Sequence, residues 1–384
     1  MSGSQPARGA LTIRGLVKRF HGVTAVDDLT IELEAGEFFT LLGPSGCGKS
    51  TTLMCAVGLE TPDAGQILID GVDMTRLPPE RRGMGVVFQS YALFPHMSVL
   101  DNVMFPLLMH GQDRKHAAAR AHEALALVEL ERLATAKPTT ISGGQAQRVA
   151  LARALVFEPA VLLMDEPLAA LDRRLRETLQ FELRHLRQRI GTTVLYVTHD
   201  QDEALALSDR IGVMRNGKFE QIGTPGQVYQ HPATAFVANF LGDSNWLPVT
   251  VVVGSDDGGQ LIAQDDEGHC FRAVGDLREG QHGLLVVRPE HVELEADGGP
   301  DQVDGTDARV TDVAFMGDHV RVELRVGGSI WTLRRPAADL AAMASARDTI
   351  VRVVWPAWQA IVLVGDGGDG AGDAARFVVP PTRD

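Results

Sequence analysis

The 384-residue chain has only three cysteines and three tyrosines, and no run of 18 or more apolar residues. Without such a run, a membrane-spanning helix is not expected. Met1 to Ala10 contains no apolar segment of the secretory type, so the chain is expected to stay in the cytosol. Cys47, Cys55 and Cys270 lack metal-ligand spacing and cannot all pair, which fits plain thiols in a reducing compartment. Cys47 stands out only because alkylation there would block the loop described next. His116 and His122 are six apart on a helical pattern, hence on different faces, which argues against a metal pair. Lysine is missing from the last third. Residues 241–384 hold 12 Arg, no Lys and 24 Asp/Glu, a net charge of −12, whereas residues 1–240 carry a net −2. A region that acidic has no basic face for phosphate backbones, so nucleic acid is not an expected partner. What is plentiful is apolar residues, at 45%, enough for the two or three domains that the length suggests.

One stretch organises the rest: Gly43, Pro44, Ser45, Gly46, Cys47, Gly48, Lys49, Ser50 and Thr51. An apolar run, Phe38–Leu42, precedes it, and Thr52–Val57 continues as a helix pattern. Strand, glycine-rich turn and helix start are the context that makes G-x-x-x-x-G-K-[ST] a phosphate-binding loop. Backbone N–H groups would wrap a polyphosphate at the helix N-terminus. Lys49 would reach the terminal phosphates and the Ser50 hydroxyl would ligate Mg²⁺.

Leu11–Val17 and Leu29–Leu33 alternate with period two and read as strands. Phe20 lies between them, 29 residues before Lys49, and either stacks on a purine with Val26 as a second contact or caps a sheet. Gln66–Asp70 and Gly85–Phe88 read as strands, the latter ending at Gln89. From Ser90 to about Pro138 the pattern is helical. Ser142, Gly143, Gly144 and Gln145 form an S-x-x-Q capping box before good helix formers. Two glycines there cost roughly 1 kcal/mol each against alanine. The segment is either an ordinary capped helix or one whose backbone something must approach closely. Val161–Met164 then leads into Asp165 and Glu166, placing a Mg²⁺-holding carboxylate and a second acid able to polarise a water. A helix with the apolar stripe Leu171, Leu175, Leu179, Leu183, Leu186, Ile190 follows. Thr193–Val197 ends at His199, and Ile211–Met214 leads to an Asn216-Gly217 turn. Strands alternating with helices predict a mostly parallel sheet with ligands at the strands' C-terminal ends.

Phe20, the loop 43–51, Gln89, Ser142–Gln145, Asp165-Glu166, Asp172 and His199 stand in the order and approximate spacing of an ABC transporter nucleotide-binding subunit, which residues 11–240 resemble. The resemblance implies an α/β P-loop NTPase cassette with a helical subdomain at about 90–160. Phe20 would stack on adenine, Lys49, Ser50 and Thr51 would bind phosphates and Mg²⁺, and Gln89 would touch Mg²⁺ and the attacking water. Glu166 would be the general base, with His199 positioning it at the γ-phosphate. Ser142–Gln145 would serve ATP bound to a second copy, which would account for the paired glycines, and Asp172 would couple the two sites. Ile141, Ala146 and Ala169 depart from the usual leucine, glutamine or arginine, and serine. By the resemblance, the last would weaken one cross-interface hydrogen bond, of order 1 kcal/mol. Ser90–Met97, with Leu93 and Phe94, would either receive a helix of the membrane subunit or simply cover the helical subdomain.

From about 243 to 364 the texture turns all-β, with Val-rich runs at Leu247–Val253, His269–Val274, Gly283–Arg288, Ala308–Phe315, His319–Val326, Ser329–Arg334, Thr349–Trp355 and Gln359–Val364. Trp331, Trp355 and Trp358 are expected in a barrel core, the alternative being a ligand platform. Arg288-Pro289-Glu290 resembles part of the OB-like TOBE regulatory domain of spermidine/putrescine, ferric-iron and phosphonate importers. Residues 1–10 and 365–384 read as disordered ends. The expected protein is a homodimeric ATPase using ATP and Mg²⁺, held at the cytoplasmic face of the cell membrane by permeases and served by a solute-binding protein. The alternatives are a soluble ABC ATPase acting on ribosomes or DNA, and a phosphotransferase kinase.

Overall fold

The apolar pentapeptide Phe38–Leu42 has all five side chains buried and forms the central strand of the larger sheet. A computed structural model of the chain describes residues 9–169, 171–295 and 304–364, with the side chains of 174, 185–190 and 304 outside the description. The chain divides between Pro225 and Gly226 into two units. This lies upstream of the boundary expected at 240–243.

The first unit runs β1 Leu11–Phe20, β2 Val23–Leu33, β3 Phe38–Leu42, α1 Lys49–Val57, β4 Ala64–Ile69, β5 Val72–Asp73 and β6 Met84–Val87. It continues with α2 Val99–Met109, α3 Arg114–Leu127, α4 Gly143–Leu155, β7 Val161–Asp165, α5 Arg173–Ile190, β8 Thr193–Thr198, α6 Gln201–Leu207, β9 Arg210–Arg215 and β10 Lys218–Gly223. The order β10-β9-β3-β8-β7-β6 is parallel throughout except for the β9–β10 hairpin. An antiparallel sheet, β2-β1-β4-β5, shares a core with α1 through Leu11, Ile13, Leu53, Ala56 and Leu163. The other face of the parallel sheet buries Phe38, Leu162 and Tyr196 against α4 and α5. Of the stripe on α5 and its approach, Leu171, Leu179 and Leu183 are buried and Leu175 is half-buried, while the Leu186 and Ile190 side chains lie outside the description.

The helical subdomain begins later than the sequence pattern suggests. Tyr91 and Ala92 both take left-handed backbone conformations, φ 59° and 46°, which no helix admits. Ser98 caps α2 by accepting from the Asp101 N–H, and Asn102 holds the preceding loop through Phe94 and Ser98. Val103, Leu107, Ala121, Leu125 and Val149 form the core of this subdomain. Leu93 packs on it and the Phe94 ring lies 4.7 Å from that of Phe105, so both residues help cover the subdomain.

The second unit contains α7 Pro225–Gln230, starting at the division, α8 Ala235–Phe240, β11 Asn245–Val253, β12 Gln260–Gln264, β13 Cys270–Val274, β14 His282–Val287 and β15 Glu293–Leu294. Then come β16 Asp304–Phe315, β17 His319–Val326, β18 Ser329–Pro336, α9 Leu340–Ser345, β19 Ile350–Trp355 and β20 Ala360–Leu363. Strands β11-β12-β13-β20-β14 close a barrel, and β15-β19-β16-β17-β18 form a second sheet. The expected OB-like domain contains a five-stranded barrel with a further sheet sharing its core. Trp331 and Trp355 are fully buried there, as expected. Trp358 is not: it lies in the 3₁₀ turn Ala357–Gln359, off the alternation of any strand, and is 64% exposed. The earlier division has a packing cause, since Ala235 and Ala238 of α8 bury against Trp246, Leu284 and Val286 of the barrel.

Candidate active site

Gly43, Gln89, Asp165 and His199 follow or end parallel strands β3, β6, β7 and β8, so one sheet edge gathers them. The loop 43–51 turns into α1 through Gly48, whose φ of 106° and approach to the Ala25 carbonyl exclude any side chain. Lys49 is buried, its ammonium donating to the carbonyls of Gly43 at 2.6 Å and Pro44 at 3.0 Å. Pro44, Ser45, Gly46 and Ser50 are exposed. The Ser50 hydroxyl donates to Asp165 Oδ1 at 3.0 Å. Burial pushes the Asp165 carboxyl up, Glu166 adds to this, and Ser50 and Lys49 oppose it.

Glu166 is one residue beyond Asp165 yet faces elsewhere, because its φ of 43° turns the backbone while its N–H still donates to Val197. His199 Nδ1 lies 3.1 Å from Glu166 Oε1, and Gln89 Nε2 lies 3.5 Å from Glu166 Oε2. Three side chains from three strand ends therefore meet beside the loop. Hydroxyl, carboxylate and amide oxygens from Ser50, Asp165 and Gln89 are the hard donors that Mg²⁺ takes, and a site completed by phosphates and water needs no fuller protein cage.

Phe20 closes β1, exposed, with the Lys18 ammonium 4.9 Å from its ring centroid. Val26, expected as a second contact for a base, is fully buried in the core and has no surface to offer. Ser142 and Gln145 form the capping box at α4, Ser142 Oγ accepting from Gln145 N–H and Gln145 Oε1 accepting from Ser142 N–H. Ser142 and Gly143 are exposed there. Gly144 has a reason of its own: a Cβ would come within 3.0 Å of the Leu175 side chain on α5. The paired glycines are thus not wholly explained by a partner's phosphate. Asp172 caps α5, its Oδ1 accepting from Leu175 N–H.

Two supports escaped the sequence reading. Arg82 is buried and donates to the carbonyls of Cys55 and Ala56, closing the C-terminal end of α1. Gly217, read only as a turn residue, donates its N–H to the Cys47 carbonyl and accepts from Asp27 N–H. Cys47 itself is buried behind the loop, and burial raises its thiol pKa.

A profile of the ABC transporter family matches residues 26–169, and a TOBE domain profile matches residues 285–363. The spermidine/putrescine import ATP-binding protein PotA of Chromobacterium violaceum is 49% identical over 80% of this chain and 86% of its own. The Fe(3+) ions import ATP-binding protein FbpC 1 of Rhizobium meliloti is 46% identical over 87% of this chain and 93% of its own. Among solved structures, the dimeric MJ0796 bacterial ABC transporter cassette is similar with TM-score 0.51 and 34% identity, over 56% of this chain and 98% of that one. The cbiO1 structure from Clostridium perfringens, part of the transporter complex cbiONQ, aligns with TM-score 0.53 and 30% identity, over 58% of this chain and 90% of that one. The chain belongs to the ABC transporter family, as an import ATP-binding subunit that couples ATP hydrolysis to solute uptake and carries a TOBE domain behind its cassette.

Proposed function

We propose that two copies of this chain close head to tail over two ATP molecules beneath a pair of membrane permeases, at the cytoplasmic face of the cell membrane. Each phosphate loop faces the partner's Ser142–Gln145 box. The box supports this reading because its side-chain bonds close on its own helix and leave Ser142 and Gly143 exposed. The dimeric cassette among the similar structures supports it as well.

The observation that carries the reading is the convergence on Glu166, met by His199 and Gln89 beside Lys49, Ser50 and Asp165. Glu166 takes the proton of the attacking water, His199 and Gln89 orient that carboxylate, and Lys49 holds the phosphates. Phe20 stacks on the adenine without help from Val26. Ser50, Asp165 and Gln89 hold Mg²⁺, which when bound neutralises charge on the transferring phosphoryl group. Glu166→Gln tests the assignment: the variant should bind ATP, hydrolyse it at least about a hundredfold more slowly and accumulate as dimer. Near-normal turnover would sink it. Ser142→Arg should block turnover while the monomer still binds nucleotide; loss of monomer binding would place Ser142 in its own chain's site.

For the cargo, the two curated relatives above point to a polyamine or to ferric ion, and neither is named for phosphonate. A solute-binding protein loaded with spermidine or with Fe³⁺ should stimulate the reconstituted ATPase in one case and not the other. The single cassette and the acidic second unit disfavour a role on ribosomes or DNA. Copurification with permeases rather than ribosomes checks that.

A further inference from the structure

Behind His199 lies a polar network that the nucleotide reading does not use. Asp200, the next residue, caps α6 by accepting from Glu203 N–H on Oδ1 at 3.1 Å. Its other oxygen, Oδ2, accepts from Arg176 Nη1 at 3.0 Å. Arg176 sits in the first turn of α5, and its Nη2 donates to the carbonyl of Leu171 at 3.1 Å. Leu171 immediately precedes Asp172, so one guanidinium holds the segment after Glu166 and the turn carrying His199 at once. Glu203 lies beneath at 2% exposure, accepting from the hydroxyls of Tyr196 and Thr198 at 2.8 Å each. The Thr198 hydroxyl in turn accepts from Asp200 N–H at 3.0 Å. Glu203 Oε1 is 3.9 Å from Arg176 Nε, a buried nitrogen with no hydrogen-bond partner among the described residues. The partners of this arginine among the described residues are the carboxyl groups of Asp200 and Glu203 and the Leu171 carbonyl, and a planar fork with parallel donors is what can bridge two of them in fixed geometry.

We propose that Arg176 is a positioning residue for the hydrolytic pair His199–Glu166: it ties the Leu171–Asp172 segment to Asp200, so that a displacement of that segment shifts the His199 side chain against the Glu166 carboxylate. The inference rests on the reading of Glu166 as the base. Leu171 and Asp172 belong to the stretch expected at the dimer interface, so the tie gives closure of the dimer a direct route to the histidine. Lysine cannot replace the arginine, because a single ammonium lacks the fork that serves Asp200 and the Leu171 carbonyl together.

The test uses the full chain with Arg176→Gln, Arg176→Lys, Asp200→Asn and the Gln/Asn double variant. Asparagine caps a helix as well as aspartate does, so Asp200→Asn removes the charge and keeps the cap. Arg176→Gln and Arg176→Lys should each lower kcat by about ten- to a hundredfold, with KM for ATP within about twofold. The double variant should be no slower than the slower single variant, and the imidazole NMR signals of His199 should move in each. A kcat loss that matches the loss of folded protein by thermal denaturation, or strictly additive effects with an unmoved His199 signal, overturns the proposal. If Glu166→Gln and His199→Ala keep normal turnover, the base assignment has failed. If those two are inactive while Arg176→Gln is normal, the positioning role alone has failed.

Discussion

Lys49 in the first unit and Arg288 in the second are both buried cations, used in opposite ways. Lys49 rests on two carbonyls of the loop it belongs to, at the edge of the parallel sheet. Arg288 is inside the second unit, its guanidinium 4.3 Å from the Tyr229 ring centroid, donating to carbonyls of Tyr229, Ala238, Gly242 and Asp243 and to the Ser244 hydroxyl. Burial lowers its pKa, as it must for a desolvated cation. A buried positive charge is therefore no sign of a site by itself. Lys49 holds its charge beside exposed loop residues, whereas Arg288 is fully engaged in tying α7, α8 and the barrel strand β14 together.

The sharpest way to break the comparison is to delete both charges. Lys49→Ala should lower ATP turnover by about a hundred- to a thousandfold, with little change in melting temperature. Arg288→Met should do the reverse, costing about 2–4 kcal/mol in unfolding free energy because several carbonyls lose their donor, with kcat per folded molecule nearly unchanged. Equal effects of both variants on turnover would mean that Arg288 also serves the site.

Thiol reactivity separates the units next. Cys270 is exposed, whereas Cys47 and Cys55 are buried and burial pushes the Cys55 thiol up to about 11. A native-state alkylation at pH 8 should modify one thiol quickly and the other two only on unfolding. Rapid loss of ATPase on alkylation would show that Cys47 is reached.

The smallest effect concerns pH. Burial raises the Glu203 carboxyl pKa, so the folded chain keeps a proton that the unfolded chain has released. Below the ordinary carboxylate range both states are protonated and nothing changes. As pH rises from there through the raised value, stability falls, and above it the loss is complete. Glu203→Gln should remove that portion of the slope, which one proton limits to about 1.4 kcal/mol per pH unit. An unchanged slope would place the titration elsewhere.

What the sequence revealed of the site was local: the loop 43–51 and the Ser142–Gln145 box are backbone geometries that few residue types satisfy, so they can be read without the fold. What stayed hidden depends on distant partners. Gly144 answers to Leu175, the late start of α2 to two left-handed residues held by Arg153 through the carbonyls of Tyr91 and Ala92, and the unit boundary to small residues of α8 against the barrel. β12 is short and set among acidic turns, which left its alternation unread. Trp358 shows the limit of composition, because a large aromatic in a β-rich region reveals nothing of its face when a turn carries it.

The hairpin joining β9 and β10 bears on the phosphate loop through the Gly217 amide, which donates to the Cys47 carbonyl. The turn of that loop is therefore propped from a part of the chain some 170 residues downstream. Strain entering at that hairpin would reach the loop through the Cys47 carbonyl, giving the cassette a lever that starts outside its recognised signatures.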